Sequence, residues 1–280
     1  MPSIRIAEHA GTCYGVQRAL DAARRAASEN KKPVKTLGPL IHNPIVVKEL
    51  DVEGVGLADS LDEIDNGTVI IRAHGVVPET IEQARAAGLE VVDATCPYVK
   101  KVHLAAEKLV AGGYQLLVVG ESGHPEVEGI LGHAGGAATV ISGPFELEGL
   151  ELKPRVGIVV QTTQRAENLG AIVAALVGNV KELRVVNTIC KATSERQVAA
   201  AQLAKASDVM VVVGGKNSGN TRRLAEICAA ACERTYHVEA PDELESAWFT
   251  HADTIGITAG ASTPQAHIDH TVERIRELVG

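Results

Sequence analysis

Three of the five cysteines sit where chemistry could use them. Cys96 closes the stretch VVDATCP, after two β-branched residues and a short polar turn, directly before Pro97. A proline has a fixed φ and no N–H, which suits the first position of a helix, here one with Val99, Val102 and Ala106 on its apolar face. Cys13 lies in EHAGTCYGV, between the apolar run 4–7 and a helical pattern of Val16, Ala19, Leu20 and Ala23. Cys190 lies in VVNTICKAT, between the run 183–186 and a helix beginning near Thr193. A thiolate between a strand and a helix start feels the positive end of the helix dipole, which suits a nucleophile or metal ligand.

The spacing repeats. Cys13 to Cys96 is 83 residues, Cys96 to Cys190 is 94, and Cys190 to the C-terminus is 90. Three thiolates suit zinc, which would recruit a histidine as fourth ligand, or an iron–sulfur cluster, which would keep one iron open. The residue types leave both alternatives standing. Cys228 and Cys232 read differently: they lie four apart in RRLAEICAAACERT, inside one helix among alanines and leucines, as small buried hydrophobes.

The histidines follow the cysteines. His9, His42, His74 and His124 fall in or near strand-end turns, whereas His103, His267 and His270 fall within helices and read as solvated surface residues. Glu126 is two residues from His124 in the glycine-flanked turn ESGHPEVEG, an arrangement suited to proton delivery. The run GGKNSGNT offers a weak phosphate cradle in which glycines admit the backbone and Ser218 and Asn220 can donate. It lacks the spacing and the Lys-Ser/Thr pair of a nucleotide-binding P-loop. GASTP offers Ser262 and QTT offers Thr162 in comparable turns.

What must position these residues is a repeated unit: a β-branched run, a polar turn, an amphipathic helix. It recurs at TVIIRAHG, YQLLVVG, RVGIVVQTT, DVMVVVGG and TIGITAG, each followed by a helical pattern. Strands alternating with helices of this length read as parallel α/β units, whose ligands collect beyond the carboxyl ends of the strands. No linker or low-complexity tract interrupts the chain.

At 280 residues and 45% hydrophobic, the chain can bury a substantial core, and its apolar runs are too short to cross a bilayer. The start MPSIRIAEHAG lacks the pattern of an export signal, which points to the cytoplasm and to reduced or metal-bound cysteines. A net charge of −8 argues against a nucleic-acid partner but permits a small anion held at helix N-termini.

Taken in order, GTCYGV, HNP, RAHGV, DATCP, SGHPEVEG, QTT, ICKAT, KNSGNTRRL and TAGASTP resemble the 4-hydroxy-3-methylbut-2-enyl diphosphate reductase family over nearly the whole chain. The resemblance implies an α/β fold of three similar units with mostly parallel sheets, arranged as a trefoil around one [4Fe–4S] cluster with three cysteine ligands and one open iron. The implied units are 14–96, 97–190 and 191–280, the last joined by 1–13. Cys13, Cys96 and Cys190 match the cluster ligands, and His42, His74 and His124 the substrate-contacting histidines. Glu126 matches the proton source, and Thr162, Ser218, Asn220 and Ser262 the polar residues around substrate.

Gly219 departs from the NSS form of the family loop: a hydroxyl is lost there while the backbone N–H remains. The implied reaction removes an allylic hydroxyl as water from a diphosphate substrate, giving isopentenyl or dimethylallyl diphosphate. Its two electrons would come from a ferredoxin or flavodoxin. A zinc hydrolase using the same cysteines and an electron carrier without a substrate pocket are the alternatives, and the polar turns argue against the second.

Overall fold

The computed structural model describes residues 2–29 and 32–280; residues 1, 30 and 31 of the units outlined above lie outside the described residues. The strands are β1 Ser3–Ile6, β2 Val34–Leu37, β3 Val55–Ala58, β4 Thr68–Ile71, β5 Glu90–Asp93 and β6 Gln115–Val119. They continue with β7 Ala138–Ile141, β8 Arg155–Val160, β9 Glu182–Val185, β10 Val209–Val213, β11 Thr235–Val238 and β12 Thr254–Ala259. The helices are α1 Tyr14–Glu29, α2 Pro44–Val52, α3 Pro78–Ala86, α4 Pro97–Ala111 and α5 Pro125–His133. After them come α6 Ala166–Leu176, α7 Lys191–Ala204, α8 Gly219–Ala229 and α9 Gln265–Val279.

These strands form three four-stranded sheets, and every pairing is parallel. The orders are β3-β2-β4-β5, β7-β6-β8-β9 and, read the same way, β11-β10-β12-β1. The last sheet therefore draws its fourth strand from the chain's beginning, with Ser3 opposite Thr254 and Ile6 opposite Ile257. Contacts divide the chain into two compact units. One comprises Met1–Val16, His42–Pro44 and Lys191–Gly280 and holds the β11-β10-β12-β1 sheet; the other, Gln17–Ile41 and Ile45–Cys190, holds the remaining two.

The inner strands show why parallel sheets form. In β10 every residue is buried: Val209, Val211 and Val213 enter one apolar cluster with α9, while Met210 and Val212 enter another with α7 and α8. In β6, Leu116 and Val118 face one cluster and Leu117 and Val119 the other. Successive side chains point to opposite faces, so a continuous β-branched run is stable only with helices on both sides. The core is aliphatic, as the scarcity of aromatics requires.

Among the described residues, no helix is long and apolar enough to cross a membrane. The helix carrying Cys228 ends at Ala229, before Cys232, so the two cysteines do not share a helix. Both are nevertheless buried, and burial pushes the Cys228 thiol up to about 12.

Candidate active site

The cysteines hold one repeated position. Cys13, Cys96 and Cys190 follow β1, β5 and β9, the fourth strand of each order, and stand directly before α1, α4 and α7. Each backbone N–H donates to a carbonyl in the turn after the neighbouring inner strand: Cys13 to Ala261, Cys96 to Ala73 and Cys190 to Thr162, all at 3.0 Å. All three side chains are half-buried, unlike those of Cys228 and Cys232. Among the described residues, no set of three or more His, Cys, Asp or Glu side chains is gathered as a metal-binding group. The chemistry of the donor set, three thiols in equivalent turns at helix starts, fits a cluster held by thiolates.

In the unit containing Cys13, the polar turns after β10 and β12 meet the segment 42–44. The Ser262 hydroxyl donates to the His42 carbonyl at 3.1 Å, and Asn43 Nδ2 donates to the Ser262 carbonyl at 2.9 Å. A Cβ on Gly215 would lie 2.5 Å from that His42 carbonyl, so only glycine allows the approach. Ser218 caps α8, its hydroxyl accepting from Thr221 N–H at 3.3 Å. Gly219 and Asn220 are then the first two residues of the helix, whose N–H groups have no carbonyl within the helix to bond. Asn220 is 4% exposed, yet neither its Oδ1 nor its Nδ2 has a hydrogen-bond partner. Leaving such groups unmet costs about 1–3 kcal/mol each. Together with the helix start, they are polar groups suited to an oxygen-rich anion.

In the other unit, the turns after β6 and β8 bring Glu126 to Thr162. Glu126 is 2% exposed; its Oε1 accepts from Thr162 N–H at 2.6 Å, and its Oε2 lies 2.8 Å from Thr162 Oγ1. The second contact works in either protonation state, because a hydroxyl can donate to a carboxylate or accept from a carboxylic acid. His124 caps α5, its Nδ1 accepting from Glu126 N–H at 3.1 Å, so the neutral ring carries its proton on Nε2. The His74 ring meets His124 edge-on, centroids 5.8 Å apart. This unit thus brings together Glu126, Thr162, His124 and His74, and the Thr162 carbonyl also fixes Cys190.

Two residues escaped the sequence reading. Asn43 is buried and supports Ser262; its place in HNP, beside His42, was the available signal. His103 is not a solvated surface residue: it is 4% exposed, stacked on His133 at 4.0 Å, with its Nε2 buried and unbonded. Gly75, next to His74, and Gly129, in α5, leave the room its ring occupies; a Cβ at either would lie 2.9 or 3.2 Å from it. The ring therefore wedges the turns that carry His74 and Glu126.

Burial, reinforced by His133, pushes the His103 pKa down to about 3. The unfolded chain takes up this proton near pH 6.5, so below that the unfolded state holds more protons and stability falls as pH falls toward 3. The expected loss from this residue is about 2 kcal/mol between pH 8 and pH 5. Denaturant unfolding at the two pH values should show it, and His103→Phe should flatten the slope by that amount; an unchanged slope would remove His103 as its source.

Known proteins resemble this chain in sequence and in fold. The family described as LytB protein matches residues 4–276. The 4-hydroxy-3-methylbut-2-enyl diphosphate reductase of Pelobacter propionicus is 47% identical over 273 residues, covering 98% of this chain and 97% of the relative. That of Geobacter sulfurreducens is 47% identical over 275 residues, with 98% and 97% covered. A solved structure of (E)-4-hydroxy-3-methyl-but-2-enyl diphosphate reductase, described as the terminal enzyme of the non-mevalonate pathway, is 46% identical with a TM-score of 0.73, covering 99% and 100%. The Plasmodium falciparum E-1-hydroxy-2-methyl-but-2-enyl-4-diphosphate reductase is 26% identical with a TM-score of 0.92, covering 97% and 87%.

Proposed function

This chain belongs to the LytB protein family, and from that premise we infer that it reduces (E)-4-hydroxy-3-methylbut-2-enyl diphosphate to isopentenyl and dimethylallyl diphosphate. The reaction breaks the allylic C–O bond and forms a C–H bond. It consumes two electrons and two protons, and one water leaves with the former hydroxyl oxygen. We assign Cys13, Cys96 and Cys190 as ligands of one [4Fe–4S] cluster with one iron lacking a protein ligand, which when bound supplies the electrons. The division at 14–96, 97–190 and 191–280, with 1–13 joined to the last, and a cytoplasmic location belong to the same proposal.

The observation that carries this function is the Glu126–Thr162–Cys190 connection, a buried carboxyl hydrogen-bonded to the turn that anchors a cysteine. Glu126 is the proton donor as the C–O bond breaks, its carboxyl being buried away from bulk solvent. Thr162 holds the carboxyl on both oxygens, which fixes its direction and excludes water from it. His74 and His124 contact the substrate, His124 donating from Nε2. Ser218, Asn220, Ser262 and His42 bind the diphosphate, with the Gly219 N–H replacing a side-chain hydroxyl.

Iron and sulfide analysis of the anaerobically prepared protein, followed by product analysis with reduced methyl viologen, tests the assignment. Equal iron and sulfide together with both diphosphate products are expected; zinc without sulfide would overturn it in favour of a hydrolase. Asn220→Ala should weaken substrate binding by about 1–3 kcal/mol, since the bond is charge-assisted. Thermal stability should not fall, because the amide has no protein partner to lose. Isothermal titration with the diphosphate and a melting curve check both; unchanged affinity would move the pocket elsewhere.

A further inference from the structure

The exposed face of α4 carries a basic and apolar patch that the chemistry above does not use. Lys101, Leu104, Ala105 and Lys108 line a groove of about 330 Å³ with Arg184 and Val186 from the β9 segment. Leu104 is 53% exposed, and Tyr98, also exposed, lies one turn before Lys101, whose ammonium is 5.1 Å from its ring centre. Among the described residues, none of Lys101, Lys108 and Arg184 forms an ion pair. The nearby acids are engaged elsewhere: Asp93 with Lys100, Glu107 with His133, and Glu182 with Arg155. Three cations outside any ion pair around the exposed Leu104 are out of keeping with a chain of net charge −8.

Their position in the fold gives the patch a purpose. α4 begins at Cys96, its N-cap, and β9 leads into Cys190 four residues beyond Val186. The groove thus runs between the two elements that deliver two of the assigned cluster ligands. The proposed reaction consumes two electrons that no residue of this chain can supply. Resting on that function, we propose that the face formed by Tyr98, Lys101, Leu104, Lys108, Arg184 and Val186 docks an acidic electron-carrier protein of the ferredoxin type. The carrier is oxidised by one electron per encounter, two encounters completing each turnover. The cations steer the acidic partner and set its orientation, and Leu104 and Val186 form the water-excluding centre of a small, transient interface.

The test uses the cluster-loaded protein and an acidic [2Fe–2S] ferredoxin. Lys101→Glu, Lys108→Glu and Arg184→Glu combined should weaken ferredoxin binding, measured by titration calorimetry, at least about tenfold at low salt. The variant should also lose most of the salt dependence shown by the unchanged protein. Leu104→Ala should weaken binding without altering that salt dependence. Turnover driven by reduced methyl viologen, which needs no docking face, should stay the same in all variants, while ferredoxin-driven turnover falls with affinity. Equal ferredoxin affinity and salt dependence in the triple variant and the unchanged protein would overturn the docking face, as would an absence of ferredoxin binding to the unchanged protein. Failure of viologen-driven turnover in the unchanged protein would instead count against the reductase function and leave the binding measurement to decide the face.

Discussion

Glu126→Gln should leave the protein folded, cluster-loaded and able to bind substrate, yet slow its turnover by about 10²–10⁴-fold, the usual loss when a positioned general acid is removed. Glutamine matches glutamate in size and keeps one oxygen to accept from Thr162 N–H, but it has no proton to give to the departing hydroxyl. Its amide nitrogen can donate to Thr162 Oγ1, so the pairing in the turn survives and any structural cost stays small. The decisive comparison is a spectroscopic substrate titration beside a single-turnover rate. Normal binding with a normal rate would eliminate Glu126 as the acid and transfer that role to His124 or to the diphosphate itself.

Replacing any one of Cys13, Cys96 or Cys190 with serine should abolish activity and strip most of the iron and sulfide. A hard hydroxyl is a poor substitute for a thiolate toward iron–sulfur clusters. The same change at Cys228 or Cys232 should leave metal content and turnover near normal. Cys228 is wholly buried with its thiol held protonated, and its sulfur faces the Ala200 carbonyl. Metal analysis of the five single variants separates the two classes, and loss of iron in the Cys228 or Cys232 variant would break the ligand assignment.

Local pattern was enough for the inner strands β4, β6, β8, β10 and β12 and for the turns that follow them, but not for the inner strand β2, whose four residues VKTL include a lysine and show no apolar run. A fully apolar run such as VMVVV must be covered on both faces, and the polar residues after it can only emerge at the strand end. The positions of Cys13, Cys96 and Cys190 between strand and helix were legible for the same reason. The outer strands β3, β7 and β11 were not. Each is four residues long and partly exposed, so VGLA, ATVI and TYHV show no periodicity that separates a strand from a loop.

What the sequence alone determined about this protein is the class of its elements and the inventory of its chemistry: parallel α/β units, three cysteines at helix starts, and histidines, serines and an acid in the turns. Tertiary structure decided which of these meet. Residues 3–6 do not by themselves name β12 as their partner some 250 residues away; only the family resemblance implied that 1–13 joins the last unit, and the pairing is made by the exposed edge of a distant sheet. Nothing local places the Glu126 carboxyl on Thr162, because that contact joins the turns of two strands that become neighbours only when β6 pairs with β8. His103 shows the same limit, since its helical position suggested solvent until Gly75 and Gly129, distant in sequence, left a ring-sized space against α4. Periodicity reports which face of an element is apolar; only packing determines what that face is pressed against.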